Sequence, residues 1–69
     1  MTEEEFKTKA RYLVEKYIKD SSLSHELKKV IDEKGSSAAK SILHKLRIYG
    51  DGVEAEDSSV IKEIAFNFA

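Results

Sequence analysis

The sequence has no cysteine, no proline and no tryptophan, and only three of its 69 residues are glycine. Without cysteine the chain forms neither a disulfide nor a thiolate metal site, and a reducing compartment is its natural environment. Uninterrupted apolar runs reach three residues at most, far short of the ~20 needed to span a bilayer. Residues 3–5 are all glutamate, unlike the basic start of a secretory signal. We therefore expect a cytoplasmic protein that does not associate with membranes.

The composition is 41% hydrophobic and 36% charged, which predicts one small folded domain over residues 1–69. A domain of this size buries only about 60% of the surface that its unfolded chain exposes, so its stability margin is thin. Small domains without disulfides or metals are often stabilised by association. This favours a homodimer, or a complex with another protein chain.

Three serine pairs, each followed directly by an apolar residue, divide the chain. A serine hydroxyl can accept a hydrogen bond from a free N–H group in the first turn of a helix, so each pair predicts a helix start. Thr2 and Glu5 have the spacing of a capping box and predict a further start. Together these signals predict four helices, at residues 3–19, 23–34, 37–49 and 59–67.

Apolar residues recur at helical spacing within the predicted segments. In the third segment they predict a buried face made of Ala39, Ile42, Leu43, Leu46 and Tyr49, from which Ile48 is excluded. Gly35 and Gly50 follow the second and third segments, at the positions where glycine commonly ends a helix. In the last segment the helical pattern places Val60, Ile61, Ile64, Ala65 and Phe68 on one face.

The last segment is also compatible with a strand, because its residues are rich in β-branched and aromatic types. Its Asp-Ser-Ser opening, shared with the second helix, favours the helix. The predicted fold is therefore an all-α, small antiparallel bundle of three helices plus a fourth C-terminal helical segment. The alternative is three helices followed by a β-hairpin, residues 53–56 and 61–66, as in winged-helix proteins.

Nothing in the sequence has the spacing of a catalytic or metal-binding motif. His25 and His44 each lie on the polar side of a predicted helix, without a second ligand at metal-binding spacing. The glycines do not form a phosphate-binding loop, and residues 50–52 lack the order of a calcium loop. We expect no enzymatic activity, no metal, no cofactor and no small-molecule substrate.

The strongest electrostatic feature is the third predicted helix. Residues 36–49 carry three basic side chains and no acid, whereas residues 50–69 carry five acids and one lysine. Helical spacing groups a candidate surface for nucleic acid or an acidic partner, made of Ser37, Lys40, Ser41, His44 and Arg47. Residues 27–47 also match the layout of a helix-turn-helix. The acidic residues that follow, and the pI of about 6.1, disfavour binding to phosphates.

Several apolar residues do not fit the predicted stripes or lie at the far end of the last one. These candidates for a protein interface are Tyr12, Ile48, Ile64, Phe66 and Phe68. Aromatic side chains of this kind are enriched where one chain meets another. The sequence thus favours a small non-enzymatic protein–protein interaction module, a regulator or an inhibitor. The alternative is a small DNA-binding transcriptional regulator that uses residues 27–47.

Overall fold

The protein is all-α in the computed structural model, which describes all 69 residues. The four helices are α1 (Glu3–Tyr17), α2 (Ser21–Lys34), α3 (Ala39–Tyr49) and α4 (Ala55–Phe68). A single 3₁₀ turn, Gly35–Ala38, separates α2 from α3. The winged alternative was wrong: residues 61–66 lie within α4, and the one β-type contact is an isolated bridge between Ile18 and Gly50.

The capping box at the start of α1 is confirmed. The Thr2 hydroxyl accepts a hydrogen bond from the Glu5 N–H (3.1 Å), and the Glu5 carboxylate accepts one from the Thr2 N–H (3.2 Å). At α2 the residue before the serine pair caps the helix: the Asp20 carboxylate accepts from the N–H groups of Ser22 (2.9 Å) and Leu23 (3.1 Å). A carboxylate at this position competes well with a hydroxyl because it is charged and lies at the positive end of the helix dipole.

The predicted capping role of the serine pairs was wrong. Ser36 donates its hydroxyl hydrogen bond to Glu3 (2.6 Å), and Ser37 donates its own to the Lys34 carbonyl (2.7 Å). Helix α4 begins at Ala55, four residues earlier than predicted, so Ser58 and Ser59 lie inside it. Serine is tolerated within a helix when its hydroxyl bonds back to the preceding turn, and Ser59 donates to the Ala55 carbonyl (3.4 Å).

The core is a single cluster centred on α1, which contacts each of the other three helices. Helix α4 packs mainly on α3, and also on α1. Burying this apolar surface supplies the main driving force for folding. The thirteen buried residues of the core are Phe6, Ala10, Leu13, Val14, Tyr17, Ile18, Leu27, Ile31, Ala38, Ala39, Ile42, Leu46 and Ile64.

Two aromatic residues were predicted on inner helix faces, and only Phe68 lies on one. Phe68 packs on the core with its ring edge-on to Phe6, and the ring centroids are 5.3 Å apart. Tyr49, predicted on the inner face of α3, is 53% exposed, so that prediction was wrong. Its ring lies at the last residue of the helix, where Lys45 Nζ sits 5.7 Å from the ring centroid.

Gly35 ends α2 with φ 58° and ψ −142°, a conformation that other residues adopt only at a cost. A side chain here would also collide with the Glu3 carboxylate, which holds the backbone N–H of Ser36 (2.7 Å). We expect Gly35→Ala to lower the free energy of unfolding by about 1–3 kcal/mol. Urea titration followed by circular dichroism measures this, with exposed Lys34→Ala as the control; equal midpoints for the two variants would contradict it.

Candidate functional site

The surface feature best suited to hold a ligand is an apolar groove between α3 and α4. Its volume is about 400 Å³, and five of its eight lining residues are hydrophobic. We call this the α3–α4 groove. Its lining residues are Leu43, Leu46, Arg47, Gly50, Val53, Ser58, Ile61 and Ala65.

The helical period explains how these residues come to share one groove. On α3 and the Gly50 that follows it, positions 43, 46, 47 and 50 are spaced three, one and three residues apart, and so form a single strip. On α4, Ser58, Ile61 and Ala65 do the same at spacings of three and four. Val53, in the loop between α3 and α4, also lines the groove and is 38% exposed. The groove thus lies between neighbouring strips of the two helices.

Basic side chains without partners lie in and beside the α3–α4 groove. Arg47 is the only charged lining residue, and it is exposed. Lys40 and Lys62 are also exposed, and none of the three has a carboxylate oxygen within 4 Å. The ion pairs of the protein use Lys9, Arg11, Lys16 and Lys28, which all lie on α1 and α2. The cations at the groove are therefore available to a charged ligand.

The residues predicted as a protein interface are not gathered on one surface. Ile64 is 1% exposed and belongs to the core, and Phe68 packs on Phe6. Tyr12 is 46% exposed, with its hydroxyl bonded to Asp57. Ile48 (55% exposed) and Phe66 (91% exposed) point to solvent from α3 and α4 respectively. Only these last two are free apolar side chains, and neither lines the groove.

The residues predicted as a basic surface do share one side of the molecule. All five are exposed, four on α3 and Ser37 in the 3₁₀ turn before it. Ser41 and His44 precede Ile48 at helical spacing, on the side of α3 away from the core. Arg47 is the member that reaches the α3–α4 groove. This surface and the groove are therefore adjacent.

A buried carboxylate holds the start of α4 against α1, and sequence reasoning missed it. Asp57 is 6% exposed and accepts hydrogen bonds from the hydroxyls of Tyr17 and Tyr12 (3.2 Å) and from Lys16 Nζ (3.0 Å). Lys16 also pairs with Glu54. We call these five residues the Asp57 network. It ties the first turn of α4, and Glu54 directly before that helix, to α1.

The Asp57 network sets the protonation of its own members. Hydrogen bonds from Tyr17 and Lys16 hold the pKa of Asp57 below its ordinary value. Burial, together with the bond to Asp57, raises the pKa of Tyr17. The bond to Glu54 is the largest of several that raise the pKa of Lys16. At neutral pH Asp57 is therefore a carboxylate, Lys16 an ammonium and Tyr17 a neutral phenol. No buried side-chain nitrogen or oxygen lacks a hydrogen-bond partner.

Comparison of the chain with protein-family models, curated proteins and solved structures gave no match. None of the helices combines the length and the apolar character that crossing a bilayer requires. His, Asp and Glu side chains do not gather in any group of three or more suited to a metal ion.

Proposed function

We propose that this protein is a non-enzymatic interaction module of the cytoplasm, which binds another protein chain in the α3–α4 groove. The observation that carries the proposal is an open groove with five apolar lining residues. Apolar surface left open beside polar residues commonly marks a binding site for another chain. The lack of cysteine accords with a reducing compartment.

A groove between two helices suits one particular mode of recognition. A partner helix lays its apolar face along such a groove and inserts side chains spaced three or four residues apart. The walls offered by Leu43 and Ile61 are aliphatic, and the small Ala65 leaves room for a side chain to enter. We expect two or three apolar side chains of the partner to supply most of the binding energy.

The proposal is tested with peptides selected from a random display library against the intact protein. Ala65→Trp fills the α3–α4 groove, whereas Ser59→Trp places the same side chain on an exposed position of α4. We expect the selected peptides to bind Ala65→Trp at least about tenfold more weakly, and Ser59→Trp as well as they bind the unmodified protein. Fluorescence anisotropy measures both affinities, and circular dichroism checks that both variants fold.

Two results would contradict the proposal: a selection that yields no peptide, or peptides that bind Ala65→Trp undiminished. The protein that binds in the groove could also be a second copy of this chain, and this requires its own test. Sedimentation equilibrium at rising concentration detects such a homodimer, and Ala65→Trp should then abolish it while Ser59→Trp should not.

Nucleic-acid binding by α3 is the second candidate. The observation that favours it is the exposed group that includes Lys40, His44 and Arg47 and contains no acid. It ranks second because no wing follows α3, and because Asp51 and Glu56 are exposed close behind it in sequence. Their charge repels phosphates.

A further inference from the structure

We infer that the occupant of the α3–α4 groove is an amphipathic helix with acidic residues on both sides of its apolar stripe. This inference rests on the proposed function, and names the chemistry of the partner. It comes from the charges around the groove. Arg47 is the one charged residue in the lining, and it has no carboxylate partner within the protein.

Arg47 lines the groove, and Lys40 and Lys62 lie beside the lining residues on the surfaces of α3 and α4. On α3, Lys40 precedes the lining residues Leu43 and Arg47 by three and seven positions, and so extends their row by about one turn. On α4, Lys62 follows Ser58 by four positions and precedes Ala65 by three, which places it beside them on the helix surface. A helix lying in the groove therefore meets cations along both of its edges.

The acidic residues nearest in sequence do not neutralise these cations. Glu63, which directly follows Lys62, is paired with Lys9 of α1. Glu54 and Asp57 are bound to Lys16 of α1, on the other side of α4's first turn. Asp51 and Glu56 are exposed but are not part of the groove lining. The groove is thus locally basic, although the whole chain has a net charge of −1. Complementary charge on a partner speeds association and selects against basic partners.

The apolar lining favours a protein partner over a nucleic acid. Burying the apolar lining is favourable only against a partner surface that is itself apolar and is buried at the same time. The lining residues concerned are Leu43, Leu46, Val53, Ile61 and Ala65. A phosphodiester backbone offers charge to Arg47 and nothing to these side chains. An acidic amphipathic helix satisfies both parts of the site.

The test uses two synthetic helical peptides of about 18 residues with the same leucine stripe. One carries glutamate on both flanks of the stripe, and the other carries lysine. At about 50 mM salt we expect the glutamate peptide to bind at least about tenfold tighter by fluorescence anisotropy. In the double variant Arg47→Glu/Lys62→Glu the preference should reverse. Lys29→Glu/Lys34→Glu, an equal change in net charge on exposed positions of α2, should leave it unchanged.

The possible outcomes separate this inference from the proposed function. Equal binding of both peptides, lost in Ala65→Trp, would overturn the acidic partner and leave the groove as a protein-binding site. If neither synthetic peptide binds while library peptides do, the acidic helix is also overturned. Failure of both sets overturns the groove itself. Binding of random duplex DNA that displaces the glutamate peptide, and that persists in Ala65→Trp, would assign the cations to nucleic acid.

Discussion

Replacing Asp57 with alanine should lower the thermal midpoint of unfolding, Tm, by at least about 10 °C. The buried Asp57 carboxylate accepts three hydrogen bonds, which Tyr12, Lys16 and Tyr17 of α1 donate. Its removal leaves a buried Tyr17 hydroxyl without its acceptor and Lys16 with one carboxylate fewer. Removing one member of a buried polar network lowers the free energy of unfolding by more than the intact network contributes to it. The reason is that the remaining polar groups stay buried without a partner. Differential scanning calorimetry measures the shift.

Two further variants show whether the effect belongs to the network. Glu56→Ala removes a carboxylate from the neighbouring exposed position and should change Tm by no more than about 2 °C. Asp57→Asn keeps the shape but not the charge, so it should fall between Asp57→Ala and the unmodified protein. A Tm for Asp57→Ala within the range of the Glu56→Ala variant would show that Asp57 does not hold α4 in place.

The same carboxylate sets the response to acid. The pKa of Asp57 is lower in the folded protein than in the unfolded chain, so its contribution is present above the ordinary carboxyl pKa of about 4. That contribution is lost as the pH falls toward the folded pKa. We expect the acid side of the stability curve to be flatter in Asp57→Asn than in the unmodified protein. The pKa of Tyr17 is raised, so its contribution is lost on the alkaline side, above about pH 10.

The helices could be predicted from the sequence because their signals are local. The stripe through Leu13 and Val14, the capping box at Thr2, and Gly35 after the second stripe each involve residues within a few turns of one another. The beginning of α4 could not be predicted in this way. Asp57 resembles Asp20 in its local sequence, yet its carboxylate is occupied by tyrosines about 40 positions away. Asp57 thus lies within the first turn of α4, bound to α1, and does not cap the helix.

Part of the α3–α4 groove could be predicted from the sequence in the same way. Leu43, Leu46 and Ile61 were assigned to inner faces, and Arg47 to a basic surface, but sequence spacing does not tell where two inner faces separate. That separation depends on the crossing of α3 and α4, and on Val53 in the loop between them. The position of Lys62 beside the groove was missed because its neighbours on α4 form a groove only together with α3.

The two phenylalanines at the end of α4 should differ sharply, although sequence analysis grouped them as one interface. Phe68→Ala is expected to lower the free energy of unfolding by about 2 kcal/mol, since its ring packs on Phe6 and the core. Phe66 is 91% exposed, and Phe66→Ala should change that free energy by less than about 0.5 kcal/mol. Urea titration followed by circular dichroism measures both values in the same assay.

A double-mutant cycle isolates the contact between the two rings. Phe6→Leu and Phe68→Leu each keep an apolar side chain but remove the edge-on geometry, for which the ring centroids are 5.3 Å apart. We expect a coupling energy of about 1 kcal/mol between them, the usual value for an aromatic pair beyond its buried area. Additive effects, or equal losses from Phe66→Ala and Phe68→Ala, would mean that the end of α4 is not docked on α1. The groove would then have a mobile wall, and binding there would have to order α4 as well.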